Sequence, residues 1–190
     1  MSRKRTGEPG VRCPDKSRGG ENTRQKRGSR IIVGTCKTAP SDVIQEFFVP
    51  IPRFVTFMEG MRGILQEEKT NLLGVTLRYV RANNETALSY APKEDAFAVI
   101  LYFNELCSAN GRAKANGLIN RLVHLAVNCG GTFYLTYARD LEMDCLRKGY
   151  REIDAFFQKK HAVDPENRFT SRFFELHGKR GLARQAASGR

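Results

Sequence analysis

The 190-residue sequence contains no run of about 18 apolar residues, which excludes an ordinary membrane-spanning helix. Its N-terminus has the positive residues of a secretory leader with no apolar segment behind them, so export is not expected. The five cysteines, Cys13, Cys36, Cys107, Cys129 and Cys145, include no C-x-x-C pair, and the three histidines lie far apart. This removes the sequence basis for a disulfide framework or a zinc site, and the expectation is a cytoplasmic protein with reduced thiols. Also missing are G-x-G-x-x-G, the phosphate-loop pattern and G-x-S-x-G, so no self-contained nucleotide site or nucleophile elbow is visible.

The excess of positive charge sits almost wholly outside the segment where a fold is expected. The formal net charge is +12, but residues 1–30 carry +7 of it and residues 177–190 carry +4, which leaves +1 for the body. A nearly neutral body argues against a nucleic-acid surface built into the fold, although a basic arm can touch phosphates without specificity. Residues 1–35 have hardly an apolar side chain to offset the entropy of ordering. They read as a disordered basic arm, and residues 177–190 as a similar tail.

Between these ends the periodicity changes in an interpretable order. Asp42 to Val49 reads as a strand ended by Pro50, with Pro52 presetting a helix start. Phe54, Phe57, Met58, Met61, Ile64 and Leu65 recur at three and four residues, a helical stripe. Leu73 to Val80 alternates as a strand does, a polar loop runs from Arg81 to Asp95, and Ala96 to Phe103 is a continuous apolar run suited to a central strand. The Asn110-Gly111 turn leads to a second helix with Leu118, Leu122, Leu125, Ala126 and Cys129 on one face, closed by Gly130-Gly131. Thr132 to Thr136 gives a fourth strand. This β-α-β-β-α-β order predicts an α+β, ferredoxin-like antiparallel sheet with two helices on one face. Beyond it, Tyr150, Ile153, Phe156 and Phe157 form another apolar stripe, a helical extension stopped by Asp164-Pro165.

Each candidate motif has two readings. A ferredoxin-like sheet can stack RNA bases, but neither LLGVTLRYV nor AFAVILYFN supplies the aromatic string that such a module needs. Gly130-Gly131 follows a helix and precedes a strand, the reverse of a phosphate loop, and reads as a helix C-cap. Tyr134, Tyr137 and Arg139 stand together at a strand end. They suit a ligand hydroxyl and an anionic or carbonyl group, or else Tyr134 fills the core while the other two lie at the surface. Glu46 is placed to meet Arg78 or Tyr79 on a neighbouring strand, as a site pair or as a structural one. His124 and His161 have no visible partner for general-base work.

Gly130-Gly131, the tyrosine-bearing strand, the helix around Tyr150 to His161 and the DPENRF close at Asp164–Phe169 together resemble the C-terminal end of FAD-linked oxidoreductases of the vanillyl-alcohol-oxidase type. Among these the sequence looks nearest the sugar and polyol oxidases and the decaprenylphosphoryl-ribose-oxidase-like proteins. QEFFVP at Gln45–Pro50 and NLLGVTLRYV at Asn71–Val80 resemble the first strands of the same substrate domain, so the likeness spans roughly residues 40–175 within a domain of residues 36–176. The resemblance implies an FAD cofactor and a sugar, polyol or lactone-type alcohol substrate oxidised at a CH-OH group. It places Tyr134 near the flavin or substrate, with Glu46, Arg78 and Tyr79 on strands facing the pocket. Tyr137 stands where ribose-oxidase-like members carry lysine, so that lysine's role does not transfer. Family members also carry an N-terminal FAD-binding domain, for which this sequence has only the basic arm. The expectation is a truncated reading frame, inactive alone, or a subunit whose flavin domain is a separate chain. The alternative, from another class, is a non-catalytic ferredoxin-like binding module whose arm contacts nucleic acid.

Overall fold

The computed structural model describes residues 40–137, 141–179 and 181. The chain divides into Met1–Thr35 and Cys36–Arg190, and every described residue belongs to the second unit. The basic arm, most of the C-terminal tail and Arg139 lie outside the described residues.

Among the described residues four strands and four α-helices follow in the order β1 (Pro40–Pro50), α1 (Phe54–Glu67), β2 (Asn71–Val80), β3 (Ala96–Leu106), α2 (Ala109–Asn128), β4 (Thr132–Phe133), α3 (Met143–Gly149) and α4 (Ile153–Val163). The strands form one sheet in the order β2-β3-β1-β4, with every neighbouring pair antiparallel. With the β-α-β-β-α-β succession this is the α+β, ferredoxin-like arrangement.

The central strands β1 and β3 pair along their whole length, from Pro40 opposite Leu106 to Pro50 opposite Ala96. Alternation sends Val43, Phe47 and Val49 of β1, with Val99, Leu101 and Phe103 of β3, into the main core. Phe48, Ala96 and Ala98 go to the opposite face, where a smaller apolar cluster forms. Strands covered on both sides read as nearly continuous apolar runs, which is why AFAVILYF shows so little alternation.

A short 3-10 turn, Ile51–Arg53, carries Pro52 and leads into α1, which buries Phe57 and Met61. Helix α2 starts earlier than an Asn110-Gly111 turn would allow. Ser108 accepts a hydrogen bond from the Gly111 N–H at 3.0 Å and caps it, so Asn110 and Gly111 lie in its first turn. Arg121 on α2 donates to Glu68 at 2.6 Å and also to Glu67, tying the two helices at their solvent side.

Gly130 and Gly131 are both required at the end of α2. Gly130 has φ +78°, a left-handed conformation that closes the helix. At Gly131 a Cβ would lie 2.3 Å from the Phe48 carbonyl oxygen, because the turn packs directly on the β1 backbone.

Strand β4 is shorter than Thr132 to Thr136 suggests. The Tyr134 N–H donates to the Glu46 carbonyl at 2.8 Å, but the Tyr134 carbonyl accepts from the Gln45 side-chain amide at 3.3 Å, and a turn follows over residues 135–137.

The C-terminal extension belongs to the main core. Leu146, Ile153, Phe157 and Phe174 join the cluster that includes Phe133 and α2, and the buried Tyr150 hydroxyl donates to the Phe133 carbonyl. The helix expected around Tyr150 to His161 starts only at Ile153, because Tyr150 adopts an extended backbone that separates α3 from α4. Asp164 organises the close of α4. Its carboxylate accepts from Lys160 at 2.6 Å, from the Arg168 N–H at 2.8 Å and from the Phe169 N–H at 3.0 Å. These bonds hold its carboxyl below the ordinary aspartate range, with the Lys160 bond the largest cause. A wide helical turn, Phe174–Gly178, follows, and His177 and Gly178 are buried. Among the described residues, buried positions therefore continue past residue 176.

Candidate functional site

The helices cover one face of the sheet, and the other face carries the candidate site. Even-numbered residues of β1 and β3 project there: Asp42, Ile44, Glu46 and Phe48 beside Asn104, Tyr102, Ile100 and Ala98. Strand β2 adds Gly74, Thr76, Arg78 and Val80, and β4 leads in Thr132 and Tyr134. One end is polar. There Tyr102 donates to Asp42 at 2.6 Å, Asn104 donates to the same carboxylate, and Asn71 donates to Asn104 at 2.9 Å. The Asp42 hydrogen bond raises the Tyr102 phenol above its ordinary pKa.

The middle of the face is Ile44, Ile100 and Thr76, and it is bounded by an ion pair. Arg78 donates to Glu46 across β3, with the Glu46 side chain 8% exposed and that of Arg78 57% exposed. The carboxylate is thus set into the sheet while the guanidinium reaches towards solvent. Such a pair fixes a donor-rich group at a defined place on this face.

The other end is aromatic. Tyr90, carried by the 81–95 loop, stacks on Phe48 with centroids 4.5 Å apart and planes at 5°. Tyr134 meets Tyr90 at 5.6 Å and Tyr137 at 4.6 Å. The loop is pinned by Thr132, whose hydroxyl donates to the Tyr90 carbonyl at 2.6 Å. Burial, and then the neighbouring Tyr134, push the Tyr90 phenol above its ordinary pKa. Behind Phe48 and Tyr90 lies a cavity of about 440 Å³, walled also by Gly130, Gly131, Thr132, Lys148 and Arg151. Its size falls within the range of small-molecule sites.

The structure therefore brings Glu46, Arg78, Tyr134 and Tyr137 to one face. Tyr79 is not among them. Paired with Phe97, it lies on the helix side, packs edge-on to that ring at 6.3 Å and donates to Asp95. That bond raises the Tyr79 phenol and lowers the Asp95 carboxyl. Neighbours on a strand cannot share a face, so Arg78 and Tyr79 were alternatives from the outset. Arg139 falls outside the described residues. Sequence reasoning missed Phe48, Tyr90 and the Asp42–Tyr102–Asn104 network. Strand alternation from Glu46 was a signal for all of these except Tyr90, whose place depends on how its loop folds back.

The fit to a flavin is partial. The apolar centre and the tilted tyrosines beside it offer contact to a planar ring, but the close packing of Gly131 on Phe48 leaves the Gly130-Gly131 turn no room as a phosphate cradle. Among the described residues no group of three His, Cys, Asp or Glu side chains is placed to hold a metal ion, and no helix is long and apolar enough to cross a membrane. No protein-family model matches the chain, and no curated protein matches it.

Proposed function

We propose that the chain is the substrate domain of an FAD-linked oxidoreductase that oxidises a CH-OH group of a sugar, polyol or lactone-type substrate, acting in the cytoplasm with a flavin domain supplied elsewhere. The observation that carries this reading is the convergence of Glu46, Arg78, Tyr134 and Tyr137 on the sheet face that the helices leave free, with Tyr134 the member that the resemblance itself names. When bound, the flavin would supply the hydride acceptor. The chain's own part is orientation: the Tyr134 and Tyr137 phenols offer donors and acceptors to a substrate hydroxyl, and Arg78, held by Glu46, offers directed N–H groups. Ile44 and Ile100 keep the centre of the face apolar and exclude water from the reacting carbon.

The test uses riboflavin, which has the ring without the pyrophosphate. Titrated into the isotope-labelled chain, it is expected to shift amide resonances of Ile44, Glu46, Thr76 and Tyr134, with the response lost in Tyr134→Ala. Shifts confined to the helix side, or none at the solubility limit of riboflavin, would overturn the proposal. So would a purified chain that is yellow, since the described residues include no pyrophosphate cradle.

A further inference from the structure

Strand β2 is ten residues long, pairs among the described residues on one side only, with β3, and has eight of its ten residues exposed. The helix layer stops short of it. Leu72, Val75, Leu77 and Tyr79, on the helix side, are between 38% and 55% exposed. Edge strands are usually guarded by lysine, glutamate, proline or shortness, because bare N–H and C=O groups beside apolar side chains recruit another strand. β2 has none of these guards. Its single charge, Arg78, lies on the opposite face and is bound by Glu46. A bulge interrupts the pairing between Leu72 and Gly74, and Gly74 to Val80 is regular beyond it.

We propose that this edge pairs with a second copy of the chain, β2 against β2 in antiparallel register about a two-fold axis at Leu77, giving a continuous eight-stranded sheet. The regular stretch is its own complement in that register. Leu77 meets Leu77, Val75 meets Tyr79 as a β-branched and aromatic cross-strand pair, and Thr76 meets Arg78 on the other face. No like charges stand opposite one another. A charged partner strand would find no free charge on this edge to answer it, whereas a second copy matches its neutrality, its length and its apolar face. The assembly also closes. The other end of the sheet is the two-residue β4, too short to recruit further copies, so pairing stops at the dimer. This inference is independent of the flavin reading.

The test is sedimentation or light-scattering mass of the full chain between about 1 and 200 µM, the range in which a weak interface shows mass action. The expected result is a rise from 21.5 kDa to twice that mass. Leu77→Lys, which sets two ammonium groups against each other at the axis, is expected to weaken the dimer at least 100-fold. Hydrogen exchange on the unaltered protein reads the same contact without a variant: the alternate amides between Gly74 and Val80 that point away from β3 gain protection as concentration rises. A single-chain mass throughout the range with unchanged exchange in β2 overturns the proposal. So does a dimer that a folded Leu77→Lys protein retains, or an assembly that grows beyond two copies.

Discussion

Removing either partner of the Glu46–Arg78 pair should cost very different amounts, because the two side chains sit in different surroundings. Arg78→Ala leaves a carboxylate that is 8% exposed without its counter-charge. A buried charge stripped of its partner costs several kcal/mol, and an unsatisfied buried polar group roughly 1–3 kcal/mol. Water can enter where the half-exposed arginine stood, so the expected cost is about 2 kcal/mol. Glu46→Gln removes the buried charge while keeping a polar group of similar shape, and the released guanidinium, 57% exposed, returns to water. That change should cost about 0–1 kcal/mol, as for a surface pair. The double variant should resemble Glu46→Gln alone, so the second substitution repairs much of the damage done by Arg78→Ala. For a chain of this length, about 2 kcal/mol corresponds to a fall in Tm of roughly 4–8 °C. Urea titrations at pH 7 followed by far-UV circular dichroism give the three values. Equal costs for the two single variants, or additivity in the double, would refute the argument from asymmetric burial.

Two further outcomes follow from the core around β4. Gly131→Ala places a Cβ 2.3 Å from the Phe48 carbonyl oxygen, so β1 or the turn must move; the expected loss is about 2–3 kcal/mol, measured by urea titration, and an unchanged midpoint would show that the turn is slack. Tyr150→Phe deletes a buried hydroxyl that donates to the Phe133 carbonyl and should cost about 1 kcal/mol at pH 7. Burial pushes the Tyr150 phenol well above its ordinary pKa. Its stabilising share is therefore complete below the unfolded value of about 10 and is lost as pH rises beyond it, so the advantage over Tyr150→Phe should shrink and reverse by roughly pH 11. A difference that stays constant across that range would contradict the burial argument.

The succession of strands and helices was legible because each segment keeps one period: three and four along Phe54 to Leu65, two along Leu73 to Val80. The same alternation could have separated Arg78 from Tyr79. Other features depend on tertiary partners. The end of β4 is decided by the Gln45 side chain, which takes the Tyr134 carbonyl, and no local pattern announces that competition. Tyr90 sits in a polar loop, and its stacking on Phe48 becomes visible only once the loop is folded over the sheet. The Asn110-Gly111 pair was read by its turn preference, while the cap two residues earlier, Ser108, carried the better signal.

The full-length pairing of β1 with β3 also sets an order of events on the ribosome. β1 is complete at Pro50, but its long partner ends only at Leu106. At synthesis rates of about 5–20 residues per second, β1 with its Phe47-Phe48 pair waits roughly 3–11 s before that partner is made. The β2–β3 hairpin can close within microseconds of emergence. The hairpin is therefore the natural template, and the earliest strand is the last of the three to be captured. During that wait β1 is the segment for which chaperones and self-association compete, so production should respond more to the pace of translation between residues 50 and 106 than to the pace elsewhere.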